Sequence, residues 1–498
     1  MKKVNFYFID VESAAPLMNN NIKDIELKKN TANEDTKSIE DIKRIANNII
    51  SPALVSFVWW VLINAHKNEQ NKLYFMARDG YIMYRIAEQF CARFDLGIEC
   101  RYLYGSRLAW RTAAYHLMGD EKYKYIFSGG YMITPKIILK RVQAGKKQRH
   151  KIYEDINKDT HIIRDKYDLS NENQTLNSEC MRIFAQKLKR SRVFSEYLEH
   201  ISKEQLYGLS MYLRQEGVFD ETADIILVDS GWTGSIQRTL RQIAEHNMAN
   251  PKITGYYFGL YAHSHDPLDG EYIAWYFMPG SRVRRMTNFN NNVFECMCAS
   301  PFKMTTGYIF SENTGTYLPV FADTDNTDDE NTKNGDNAEK AKLLNYYIES
   351  FTADFLNNSN INFNDYSDIY LAKSRKILQR FMMNPTKTEA ELFGEFKFCD
   401  DSSDSYENNL ACYIDEAYLK RYMIINRFLY KKSGGRPNME LTPDLFWFHG
   451  SLAVSEIKNK KWYRFNYKLW ETLRLLVKKY EAGLRILNRK GLSNGVKW

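Results

Sequence analysis

Two short stretches carry carboxylates, cations and small residues directly after apolar runs, where loop chemistry can be held rigidly. In Ile225-Ile-Leu-Val-Asp-Ser-Gly-Trp-Thr-Gly-Ser-Ile236, the apolar run Ile225 to Val228 stops at Asp229. It is followed by Ser230, Gly231, Trp232, Thr233, Gly234 and Ser235 and then by an amphipathic pattern, Ile236, Leu240, Ile243 and Ala244. The pattern predicts a buried parallel strand, a tight polar turn and a helix. Thr233, Gly234 and Ser235 then fall at the helix N-terminus, where unpaired N–H groups and the helix dipole favour a phosphate. Lys72-Leu-Tyr-Phe-Met-Ala-Arg-Asp-Gly-Tyr81 repeats the design, with Arg78, Asp79 and Gly80 after the run Leu73 to Ala77. Tyr102-Leu-Tyr-Gly-Ser-Arg107 is a third, ending on Ser106 and Arg107. Three strand ends of this kind suit one crevice at the carboxyl edge of a parallel sheet. That crevice would bind an anion through Arg78, Arg107 and loop amides, beside two carboxylates, Asp79 and Asp229, able to hold a metal or a sugar. Glu295, in Phe289-Asn-Asn-Asn-Val-Phe-Glu295, is a third acidic candidate on a short helix.

The elements that must position these groups follow from periodicity. Ser51-Pro52 opens a helix well, and Leu54 to Ala65 is apolar for only about a dozen residues, too short for a bilayer and suited to a buried helix. Strands are expected at 73–77, 101–105, 225–228, 253–261 and 272–277, with helices at 81–94, 191–216 and 234–246. The expected fold class is α/β, a mostly parallel sheet flanked by helices with large helical additions. The organisation read from the sequence is an irregular segment 1–50, a catalytic domain 51–320 with a helical insertion at about 120–222, a disordered acidic linker 321–340 and a helical region 341–498. The linker reading rests on Asp323-Thr-Asp-Asn-Thr-Asp-Asp-Glu330, which is low in apolar residues and lacks EF-hand spacing.

Composition narrows the class. The chain has 498 residues, 44% hydrophobic and 26% charged, which is an ordinary globular balance. The net charge of +8 is mild and suits phosphates or an anionic membrane face; nucleic acid is not an expected partner. Seven scattered cysteines without a CxxC pair fit reduced thiols in a cytosol, and a zinc site is not expected. The N-terminal Met1-Lys-Lys-Val-Asn-Phe-Tyr-Phe-Ile-Asp10 is too short an apolar run for a signal peptide. Asp10-Val-Glu12 lacks the second aspartate of a haloacid-dehalogenase phosphatase. The basic runs Lys140 to Lys151 and Lys187 to Arg192 read as solvated surface, with contact to a polyanion as the alternative. Trp470 to Arg489 is basic and amphipathic: either a docked core helix or an interfacial membrane helix.

Taken together, Phe75-Met-Ala-Arg-Asp-Gly80, Tyr102-Leu-Tyr-Gly-Ser-Arg107 and Val228-Asp-Ser-Gly-Trp-Thr-Gly-Ser-Ile-Gln237 are similar to the glycan phosphoribosyltransferase domain of bacterial ribofuranosyltransferases, over about residues 50 to 310. The resemblance implies a glycosyltransferase that moves ribose 5-phosphate from phosphoribosyl diphosphate to a hydroxyl of a lipid-linked glycan, in capsule, O-antigen or exopolysaccharide synthesis. Such domains often follow a phosphatase module, for which the first 50 residues leave no room, so a separate phosphatase is an expected partner. On this reading Thr233, Gly234 and Ser235 bind the 5-phosphate. Asp229 holds ribose hydroxyls or Mg²⁺, and Arg78 and Arg107 neutralise the leaving diphosphate. Asp79 is the expected general base, with Glu295 second. Gly80, Ser106, Ser230, Gly231 and Trp232 complete the substrate contacts. The expected location is cytoplasmic, or peripheral at the inner face of the plasma membrane. A haloacid-dehalogenase-type phosphohydrolase and a non-catalytic scaffold of a polysaccharide-assembly complex are the rival readings.

Overall fold

The computed structural model describes residues 34–128, 133–158, 171–220, 224–248, 250–322, 335–358, 360–398, 408–421, 423 and 445–493. Five strands form one all-parallel sheet: β1 (Lys72–Met76), β2 (Glu99–Leu103), β3 (Ile225–Trp232), β4 (Ile253–Leu260) and β5 (Glu271–Phe277), in the order β2-β1-β3-β4-β5. An α/β fold with helical additions is therefore what the chain adopts. The helices that matter here are α1 (Ser51–Lys67), α2 (Gly80–Phe94), α3 (Arg107–Ala114), α4 (Arg192–Gln215), α5 (Ser235–Asn247), α6 (Asn291–Met297) and α7 (Lys460–Ser493).

Alternation along the strands divides the interior into two cores. Leu73, Phe75, Ile226, Val228, Tyr256 and Phe258 face the layer that holds α1 and α2. Tyr74, Met76, Ile225, Leu227 and Ile253 face α3, α4 and α5. Burial on both faces explains why these strands read as continuous apolar runs. From β1 the chain crosses through α2 on one face to reach β2. It then crosses back on the opposite face, through the helices from α3 to α4, to reach β3 beyond β1. Opposite faces for opposite directions are what right-handed crossovers demand. The strand order therefore reverses between β1 and β3, and a crevice opens there at the carboxyl edge.

Several expectations are corrected. Strand β3 does not stop at Val228; Asp229, Gly231 and Trp232 still pair with Tyr257, Gly259 and Leu260 of β4. Glycines permit this close pairing: a side chain on Gly231 (φ 107°) would lie 2.5 Å from the Gly259 carbonyl oxygen. An antiparallel hairpin, β6 (Thr305–Ser311) with β7 (Thr316–Phe321), follows α6 and was not expected. The basic run at 140–151 is largely helical, and two of its cations are buried. Arg141 donates to the carbonyls of Ile126 and Ser128, and Arg149 pairs with Glu172 at 2.8 Å. Lys187, in the second basic run, is buried as well. These side chains hold the insertion together and are not available to a polyanion. The acidic stretch 323–334 and the N-terminal residues 1–33, Asp10 and Glu12 included, lie outside the described residues; a helix already runs from Gly335 to Asn358.

The C-terminal helices share the α1 core. The indole of Trp59 packs edge-on against Tyr366 and donates to the Phe363 carbonyl at 2.8 Å. Among the described residues one continuous helical stretch, Ser38–Lys67, is long and apolar enough to cross a bilayer, but 78% of its most apolar window is buried in the protein. It is a core element, as the Leu54–Ala65 run suggested.

Candidate active site

Residues 79 and 230 lie 151 positions apart in sequence, yet the Ser230 hydroxyl donates to Asp79 Oδ2 at 2.5 Å. Ser230 can do this because β3 continues past Asp229: residue 230 points to the α2 face, beneath the loop that follows β1. The same hydroxyl lies 3.5 Å from Asp229 Oδ1, so one side chain spans both carboxylates. Trp232, two residues on and on the same face, donates its indole N–H to Glu295 Oε1 at 2.7 Å. The ring of Trp232 packs against Phe289 and Phe294, which fixes α6 and Glu295 over the strand end.

Three carboxyl groups thus converge, and burial raises the pKa of each. Asp229 is pushed up to about 6, chiefly by desolvation and further by Glu295, although the backbone N–H groups of Ser230 and Gly231 bond to it. Burial raises Asp79 despite the Ser230 hydrogen bond, and the neighbouring Asp229 adds to the rise. Burial also raises Glu295, with Asp79 contributing. Arg78 and Arg107 oppose both of these shifts, which places the two guanidiniums within electrostatic reach of Asp79 and Glu295. Acids crowded at a switch point with raised pKa values make this the candidate functional site.

A cation that the sequence reading missed completes the set. Arg111 lies one turn beyond Arg107 on α3. Its Nη2 donates to Ser235 Oγ at 3.1 Å, and its guanidinium lies 4.5 Å from the centre of the Tyr125 ring. Its Nε is buried with no partner among the described residues, and no described carboxylate forms an ion pair with it. Burial and the Arg107 charge pull its pKa down to about 10. A half-buried guanidinium in this state is a candidate contact for an anion. The spacing Arg107-Leu-Ala-Trp-Arg111 was a usable signal, since residues four apart share a helix face.

The proposed phosphate turn is built differently from its expected form. The Thr233 N–H donates to the Gly231 carbonyl at 2.9 Å and is spent within the turn. Gly234 adopts φ 58°, and the Tyr272 ring covers it so closely that a Cβ would meet that ring at 2.5 Å. Ser235 is the member whose side chain meets a cation, Arg111, and the Thr233 side chain is exposed. Ser106 caps α3 by accepting from the Ala109 N–H at 2.9 Å and donates to the Thr305 carbonyl at 2.6 Å, so its hydroxyl holds Arg107 and Arg111 in place. Gly80 starts α2 packed against the Phe75 backbone, where a Cβ would stand at 3.0 Å.

Among the described residues no three carboxylate, imidazole or thiol groups close around a single ion. Asp79 and Asp229, bridged by Ser230, offer two hard oxygen donors, the number that suffices for Mg²⁺ when phosphates and water supply the rest. Beside the site, Tyr81, Tyr102, Tyr104 and Phe302 form an aromatic wall, with Phe302 centred 5.3 Å from both Tyr81 and Tyr104. No protein-family model matches this chain, and no curated protein matches it.

Proposed function

We propose that the protein is a glycosyltransferase that moves a phosphorylated pentose from a diphosphate-activated donor, phosphoribosyl diphosphate, to a glycan hydroxyl. The observation that carries this reading is the Ser230-bridged pair Asp79 and Asp229, at the sheet's switch point, with Arg78 and Arg107 acting on Asp79. Carboxylates next to cations suit a reaction in which a sugar centre gains positive charge while a diphosphate leaves with negative charge. Arg78 and Arg107 stabilise the leaving diphosphate; Arg111 and Ser235 take the 5-phosphate. Asp229 holds the ribose hydroxyls and stabilises the oxocarbenium-like transition state. Asp79, kept in one orientation by Ser230, takes the proton of the acceptor hydroxyl. Magnesium, held by Asp229, would supply further charge neutralisation at the diphosphate. The aromatic wall gives the acceptor sugars a flat apolar surface for their C–H faces, with phenol hydroxyls for their polar edges.

The test is incubation with phosphoribosyl diphosphate, Mg²⁺ and soluble oligosaccharide acceptors, followed by mass spectrometry. A gain of one pentose phosphate, lost in Asp229→Asn, is the expected result. Release of inorganic phosphate without transfer would favour a phosphohydrolase. Absence of any calorimetric signal with the donor would favour a scaffold.

A further inference from the structure

Helix α7 carries its apolar stripe on the wrong side for a soluble protein. Tyr463, Asn466 and Leu475 face inward, and Tyr467 stacks on Phe448 with ring centres 4.0 Å apart. The opposite face is also apolar. Trp462, Phe465, Leu469, Leu473 and Leu476 are exposed, from 40% at Leu469 to 58% at Phe465. At about 100° per residue they fall within an arc of about 80°. Single exposed leucines are commonplace, but five large apolar side chains in one stripe mark a contact surface.

We infer that this face of α7 lies on an anionic lipid surface. Lys461 and Lys468, both exposed, border the stripe along one edge. Over residues 460–493 the sequence holds ten Lys or Arg against two Glu. Aromatic and leucine side chains bordered by cations are the make-up of a helix lying in the headgroup layer. The same charge disfavours a second copy as the occupant, because pairing two such stripes would bring two strongly cationic helices side by side. The placement also fits the site. Tyr261, which follows β4, feels the charges of Glu471 and Arg474 on α7, and its ring centre is 6.3 Å from that of Trp232. At Glu471 and Arg474 helix α7 therefore lies near the carboxyl end of β4, beside the strand that carries Trp232, so a membrane under it would bring lipid-linked material toward the crevice.

The experiment is co-sedimentation of the full chain with vesicles of phosphatidylcholine, alone or with phosphatidylglycerol. Binding to the anionic vesicles is expected, weakening as salt rises. The double substitution Phe465→Ser with Leu469→Ser, at exposed positions, should weaken binding at least about tenfold. Lys461→Gln with Lys468→Gln should weaken it by about fivefold per cation. Wild-type protein that stays in the supernatant overturns the inference, as does binding unchanged in the apolar double variant. A concentration-dependent dimer in sedimentation velocity, lost in that variant, would assign the face to a second copy instead. Transfer to a soluble acceptor needs no vesicle, so it separates failure here from failure of the catalytic reading.

Discussion

Replacing Asp229 by Asn should make the protein more stable and inactive at once, and the size of the gain follows from the site. In the folded state its carboxyl is held up to about 6, against an ordinary value of 3.8, mainly by burial. A raised acid stabilises the fold fully below the unfolded value, near pH 4, and that contribution is lost as pH rises through the folded value. At pH 8 the ionised carboxylate then costs about 3 kcal/mol. Asp229 keeps some contact with solvent, so about 1–2 kcal/mol is the realistic figure. An Asn retains an acceptor for the Ser230 and Gly231 N–H groups while shedding the charge. The expected outcome is a rise of roughly 1–4 °C in Tm at pH 8, with about half that gain at pH 5. Scanning fluorimetry of wild type and variant at both values measures it, while donor turnover should fall about 100-fold or more. A variant less stable than wild type at pH 8, or a gap that does not change with pH, would refute the convergence of acids on which the site rests.

Three further outcomes are expected. Arg111→Met should leave stability within about 1 kcal/mol, because a buried cation without a carboxylate is exchanged for apolar volume, yet raise the donor KM at least about tenfold in steady-state kinetics. Gly234→Ala forces a Cβ to 2.5 Å from the Tyr272 ring at a positive φ, and should cost about 1–3 kcal/mol in denaturant unfolding. Trp232→Phe removes the indole donor that holds the pKa of Glu295 down; that pKa should climb further, by roughly 0.5–1 pH unit in an NMR titration of the Glu295 carboxyl in wild type and variant.

The strands and the crevice could be read in advance because buried parallel strands show as apolar runs and each run ended on polar punctuation. Asp79, Asp229 and Glu295 do meet, as do the fields of Arg78 and Arg107. What escaped the sequence reading was long-range. The pairing that carries β3 on to Trp232 brings Gly231 against the Gly259 carbonyl of β4, a partner that the residue types within 225–236 do not name. Arg111 stood out only once tertiary packing closed Tyr125 and Ser235 around it. The buried Arg141 and Arg149 made the opposite case: a run that reads as solvated charge became internal scaffolding through carbonyls and Glu172 far along the chain. The residue types also did not show that the Thr233 N–H would be engaged by the Gly231 carbonyl within the turn.

The partition of the acid pair across the chain has a consequence for biosynthesis. The Asp79 side chain leaves the ribosome 151 residues before Ser230, its hydrogen-bond partner. At about 5–20 residues per second that interval is about 8–30 s, during which β1 has only β2 to pair with and its other edge is open. The nascent half-sheet is the species a chaperone would meet.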